Sequence, residues 1–185
     1  PTPVGCRQCL SEISAELQLL RSARIQLLID QVDRFISPSQ VVKDRFVAWG
    51  IAEDRIAVIA NCLTDLQPEL PSLLMGKHGL ARVFGFFGNC SEAKGLDLIL
   101  EAILGLVRRQ EEARLVVHGP VQQLLEEGIP RRDPYALKLQ DLLSKLGQHV
   151  SCPGPYRQDE IPRLMGRVGW VVMASRWLEN APVVI

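Results

Sequence analysis

From residue 80 onward, short unbroken apolar runs alternate with segments of helical period. The order is RVFGFFG, GLDLILEAILGLVRRQ, ARLVVHG, a helix near 135–146, HVSC, a helix near 159–166, and WVVMAS. Strands that are apolar at every position, rather than every second, are covered on both faces, as in a parallel sheet flanked by helices. This predicts a doubly wound α/β domain over 80–185, without internal repeat.

The preceding part reads differently. Residues 11–30 place Ile13, Leu17, Leu20, Ile25 and Leu28 at helical spacing, with Ser11 able to cap them. VDRFISPS reads as a buried strand running into a helix that carries Val42, Phe46 and Trp49 and stops at Gly50; RIAVIAN returns as a strand. Residues 64–79, with two prolines, two glycines and no period, read as a linker between a region at 1–63 and the domain at 80–185.

The chain has 185 residues, 47% of them hydrophobic, enough for a packed core. Lys plus Arg and Asp plus Glu number 21 each, so composition forces no basic face and disfavours nucleic acid as a partner. No apolar run reaches the roughly 20 residues that span a bilayer, and no basic segment followed by an apolar run opens the chain. The expected compartment is the cytoplasm. The five cysteines are scattered, which suits reduced thiols. Only Cys6 and Cys9 have metal-like spacing, and the next Cys or His is Cys62, so no zinc site is expected.

Ligands of open α/β sheets gather beyond the carboxyl ends of the strands. After the first strand, Gly88-Asn89-Cys90-Ser91-Glu92-Ala93-Lys94-Gly95 combines small residues with a cation at a helix start, which suits phosphate; a plain tight turn is the competing reading. Neither a dinucleotide fingerprint nor a P-loop is present. After the second stands His118, a ligand or a hydrogen-bonded structural residue. After the third, Tyr156 and Arg157 suit a planar base or a surface turn. After the fourth comes SRWLENAPVVI, where a compact polar cluster with Glu179 and Asn180 is followed by an apolar end.

The ordered set VDRFISPS, GIAEDRIAVIANCLTD, FGFFGNCSEAKGLDLILEA, LVVHG, VSCPGPYRQDEIPRLM and WVVMASRWLENAPVVI resembles the group-one retaining glycosyltransferases of GT-B fold, over roughly residues 31–185. The resemblance implies two facing Rossmann-like domains, of which this chain would hold the remnant of the N-terminal acceptor domain and most of the nucleotide-sugar-binding one. The chain would then be a piece of a larger enzyme, with Glu179 the first glutamate of a paired motif whose second falls beyond Ile185. The resemblance further implies that Lys94 contacts the donor diphosphate, in a loop made of Gly88, Asn89 and Gly95. Asn89 stands where the family commonly has Arg, which removes one charge-assisted donor. Glu179 would face the donor sugar, backbone N–H groups from Asn180, Ala181 and Val183 would approach phosphate, and Tyr156 and Arg157 would fall near the nucleobase, with His118 a further donor-binding candidate.

The implied reaction is hexosyl transfer from a nucleotide sugar to an acceptor glycan or lipid, with retention, in polysaccharide biosynthesis. No cofactor or metal is required, because fixed cations, amides and a helix N-terminus stabilise the leaving diphosphate. The full-length enzyme would be cytoplasmic, with a peripheral place at the membrane open to it, and its acceptor groups would come from the missing domain. The piece itself is expected to be inactive and to form a homodimer through its uncovered apolar faces. Two alternatives stand beside this reading: a nucleotide-sugar epimerase of the same fold, and a non-catalytic nucleotide-binding or interaction domain in which Glu179 caps a helix and Lys94 is a solvated charge.

Overall fold

The computed structural model describes residues 13–61 and 82–176. They belong to two compact units, divided between Cys62 and Leu63. The linker expected at 64–79, the Cys6 and Cys9 pair, and the cluster at Glu179, Asn180, Ala181 and Val183 lie outside the described residues.

The first unit comprises α1 (Ala15–Asp30), β1 (Phe35–Ser37), α2 (Gln40–Ala48) and β2 (Ile56–Val58). β1 and β2 pair in parallel, Phe35 opposite Ile56. α1 starts one turn later than the sequence suggested, since Ser14, not Ser11, accepts the capping bond from the Leu17 N–H. Gly50, at φ 108°, stops α2 as expected: the Gly50 N–H donates to the Val47 carbonyl and the Ile51 N–H to that of Phe46. A small core of Ile29, Ile51 and Ile56 collects Ile25, Phe35, Val47 and Trp49 around it. Arg55 lies 5.4 Å over the Phe35 ring and donates to the carbonyls of Ile29 and Val32.

The apolar face of α1 is uncovered, as expected: Leu17, Leu20 and Leu28 are all at least 60% exposed, whereas Ile29 and the amide-bearing Gln18 are buried. The expectation for β1 fails, since it is not a buried strand: Ile36 is 72% exposed. A two-stranded sheet and one small core shield only one side of each element, so outward apolar side chains remain uncovered among the described residues.

The second unit carries β3 (Val83–Phe87), α3 (Leu96–Arg108), β4 (Arg114–His118), α4 (Val121–Gly128), α5 (Pro134–Leu146), β5 (Val150–Gly154), α6 (Ile161–Met165) and β6 (Trp170–Val171). Its sheet is parallel throughout, in the order β5-β4-β3-β6. This is the expected doubly wound α/β arrangement. α3 turns Leu96, Ile99, Leu100 and Ile103 inward and α5 turns Leu139, Leu142 and Leu146, against Leu115 and Val117 of β4. Asp133 caps α5 by accepting from the N–H groups of Tyr135 and Ala136, with Pro134 in its first turn.

The periphery departs from the expectation. The strand expected over WVVMAS pairs with β3 at Trp170 and Val171, and Trp170 is 60% exposed, since among the described residues β6 is bordered on one side alone. The helix expected near 159–166 is a 3-10 turn at Gln158–Glu160 followed by a single turn and a half of α6. α4 was not anticipated.

Candidate donor site

Chain order sets the site. β3, β4 and β5 step across the sheet in one direction, and the chain then returns to place β6 on the other side of β3. The strand order therefore reverses at a topological switch point between β3 and β6, and here the loops that follow these two strands pack against each other.

Small residues bring the loop tips together. The Gly88 N–H donates to the His118 carbonyl and the Gly119 N–H to the Gly154 carbonyl, each at 3.0 Å, so the ladder continues past the strand ends. A Cβ on Gly119 would come within 2.3 Å of the Gly88 oxygen. Gly95 closes the other side: it sits in the left-handed region (φ 67°, ψ 29°) as the N-cap of α3, where a Cβ would fall 2.0 Å from the Ala174 oxygen.

Above these tips opens a cleft of about 690 Å³. Gly88 and Asn89 form one side, Gly119, Pro155 and Tyr156 the strand ends, and Gln123, Glu127 and Arg131 the α4–α5 side. Tyr156 meets two further rings edge-on, Phe87 at 5.7 Å and His118 at 6.1 Å, and those two stack at 4.8 Å with planes 18° apart. His118 is thus a buried packing residue beneath Tyr156. Burial pushes its pKa below the ordinary value, the Glu160 charge opposing this, so the ring is neutral at pH 7.

Of the residues singled out in sequence, Gly88, Asn89 and Tyr156 line the cleft. Lys94 is half-buried at the end of the 3-10 turn Glu92–Lys94, outside the cleft lining. Arg157 is not among the residues that line the cleft: its side chain is 81% exposed and pairs with Asp159 at 3.0 Å, while its N–H donates to Glu160. Cys90, fully buried beside these loops, has its thiol pushed up to about 12, first by burial and then by neighbouring Cys152, so it is no nucleophile at neutral pH.

Sequence reading missed a charged cluster under the loop. Asp97, in the first turn of α3, is 2% exposed, and its Oδ2 accepts from Lys138 and Arg176, each at 2.6 Å. Burial raises the Asp97 pKa, but the hydrogen bonds from Arg176 and Lys138 outweigh it and hold the carboxyl below its ordinary range. Beside it, the Tyr135 hydroxyl donates to the Ser91 carbonyl at 3.2 Å, and its pKa is pushed up to about 12 by burial and by the Asp97 charge. The signal in the sequence was a carboxylate inside the apolar stripe of GLDLILEAILG. Among the described residues no group of three or more His, Cys, Asp or Glu could hold a metal ion, and no helix is long and apolar enough to cross a membrane.

A family model described as glycosyl transferases group 1 matches residues 76–185. The chain belongs to this family. The fold of these glycosyltransferases is also what solved structures share with it. A structure of HepE from Anabaena with UDP and glucose is 21% identical, with a TM-score of 0.61, over 86% of this chain and 43% of that one. The lipopolysaccharide outer core galactosyltransferase WaaB, in its apo form, is 19% identical, with a TM-score of 0.55, over 81% of this chain and 38% of that one. A glycosyltransferase from Rickettsia africae is 19% identical with a TM-score of 0.56, covering 78% of this chain and 38% of its own. This glycosyltransferase chain thus spans less than half the length of those structures. No protein of curated function matches it.

Proposed function

We propose that this chain is the nucleotide-sugar-binding part of a retaining hexosyltransferase that passes a sugar from a nucleoside diphosphate to an acceptor glycan or lipid. The observation that carries the reading is the cleft of about 690 Å³ lined by residues that follow β3, β4 and β5 at their carboxyl ends, in a chain of this family. Its volume lies within the roughly 300–1,000 Å³ usual for such ligands. The HepE structures were solved with UDP and with UDP-glucose, which supports a nucleotide sugar as donor.

In this reading the nucleoside lies on the Tyr156 side and the diphosphate runs toward the 88–95 loop, where Lys94 and the N-terminus of α3 offset the charge of the leaving group. Asn89 donates hydrogen bonds there without adding charge. Glu179 faces the sugar, and the N–H groups of Asn180, Ala181 and Val183 approach phosphate, in keeping with the family resemblance. No metal is assigned to the reaction. Acceptor binding falls to a part of the enzyme beyond this chain, so the chain alone binds donor nucleotide without transferring sugar. The leucine face of α1 is assigned to a second copy of the chain.

Calorimetry with UDP, GDP and ADP tests the donor site: heat of binding from at least one of them is expected. No heat at about millimolar nucleotide, where even a contact worth roughly 4 kcal/mol is half-formed, would exclude it.

A further inference from the structure

The cluster around Asp97 joins two loops that are far apart in sequence. Its two cations have different reaches. Lys138, on α5, also pairs with Glu101 at 2.8 Å, so it braces α5 against α3. Arg176 comes from beyond β6 and turns back to the loop after β3. Its Nη2 holds Asp97 at 2.6 Å, its Nη1 donates to the Glu92 carbonyl at 3.0 Å, and its backbone N–H donates to the Ala93 carbonyl at 2.8 Å. The Glu92 carboxylate stands 3.9 Å from the same guanidinium.

For holding two helices together, a buried carboxylate is a poor choice, since apolar residues of the same volume often do as well or better. What this arrangement adds is a single geometry. A guanidinium is a rigid planar fork, and here both arms are used, one on the α3 carboxylate and one on the backbone just before Lys94. The Ala93 bond fixes the next peptide, and Gly95 fits against Ala174 with no space for a side chain. The turn that carries Lys94 is therefore held from three points on the β6 side.

We propose that Asp97 and Arg176 form a clamp that sets the Lys94 turn at the spacing a nucleoside diphosphate requires, Arg176 acting as a positioning residue that does not itself touch the nucleotide. The inference rests on the donor-site reading above. It separates the cluster into a clamp, Asp97 with Arg176, and a brace, Lys138 with Asp97 and Glu101.

Arg176→Lys keeps a cation beside Asp97 but has no second arm for the Glu92 carbonyl, whereas Lys138→Met removes the brace and leaves the clamp. For the intact 185-residue chain, the clamp predicts that Arg176→Lys raises the UDP dissociation constant about tenfold, within the coupling usual inside one hydrogen-bonded network, with little change in Tm and none in uridine binding. Lys138→Met should do the reverse, lowering Tm while UDP affinity stays within about twofold. In a Lys94→Ala background, Arg176→Lys should cost no further affinity.

Equal effects of Arg176→Lys with and without Lys94, or parallel losses of Tm and affinity in both single variants, would overturn the clamp and leave a structural ion cluster. Amide hydrogen exchange at Lys94 and Gly95 reads the hold on the turn apart from nucleotide binding. Faster exchange in Arg176→Lys than in Lys138→Met is expected, and equal exchange overturns the clamp by itself. Absence of UDP binding to the parent chain sinks the donor reading and the diphosphate purpose together, whatever the exchange rates are.

Discussion

Replacing Gly95 with Ala tests whether the switch point is as tightly closed as its geometry indicates. Two costs add. At φ 67° and ψ 29° the backbone is left-handed, which costs an L-residue with a Cβ about 1–2 kcal/mol. The Cβ would also stand 2.0 Å from the Ala174 oxygen and 2.8 Å from its carbon, so the 172–176 segment must retreat by about 1 Å. That segment is tied down by the Val172 N–H on the Gly85 carbonyl and the Arg176 N–H on the Ala93 carbonyl, and losing both costs about 1–3 kcal/mol more. The expected loss is about 2–5 kcal/mol, a fall in Tm of about 4–20 °C for a chain of this length. Gly105→Ala is the control: nothing lies within 4 Å of its Cβ and it sits inside α3, so the same added methyl should stabilise by about 0.5–1 kcal/mol. Thermal melts followed by circular dichroism decide the matter. A Gly95→Ala melt within about 2 °C of the parent would mean that the two loops do not pack as described.

Lys94→Ala should weaken UDP binding by about 1.5–3 kcal/mol with a small change in Tm, and an unchanged dissociation constant in calorimetry removes Lys94 from the donor site. Because the Asp97 carboxyl is held below its ordinary range in the folded state, its contribution to stability is whole above that range and shrinks as pH falls through it, the unfolded chain taking up the proton first. The parent Tm should thus fall more steeply between about pH 5 and pH 3 than that of Asp97→Asn, and parallel slopes would count against the pairing. Leu17, Leu20, Leu27 and Leu28, all at least 60% exposed on one face of α1, should hold two copies together; light scattering that keeps a monomer mass at about 100 μM would refute this.

What the sequence made legible follows the range of the interactions concerned. The inward stripe Leu96, Ile99, Leu100, Ile103 and the stop at Gly50 are local, set within a few residues by period and backbone conformation, and both were readable. α4 was not, because VQQLLEEG offers only Val121, Leu124 and Leu125 over eight residues and begins directly after Pro120, which reads as a loop. The burial expected for β1 failed because an apolar run says which residues could be covered, and not whether anything covers them.

The site divides in the same way. Gly88, Asn89 and Tyr156, which line the cleft, stood out in sequence because they follow strands, and the rule about carboxyl ends needs only the strand order of a parallel sheet. Gln123 and Glu127, from a helix that sequence reading did not have, and Arg131 in the turn after it form the opposite wall, so the cleft had one side in sequence and two in the structure. Asp97 left a local trace as a carboxylate in an apolar stripe, yet its partners Lys138 and Arg176 carry no such trace, since a surface-type cation looks the same whether it is solvated or folded back onto a buried charge. A polar residue within an apolar period is thus a question the sequence poses and only the fold answers. Here the answer lies across the switch point, on the loop where donor chemistry is assigned, which is why the residue that looked least suited to α3 is the one that links its helix to the site.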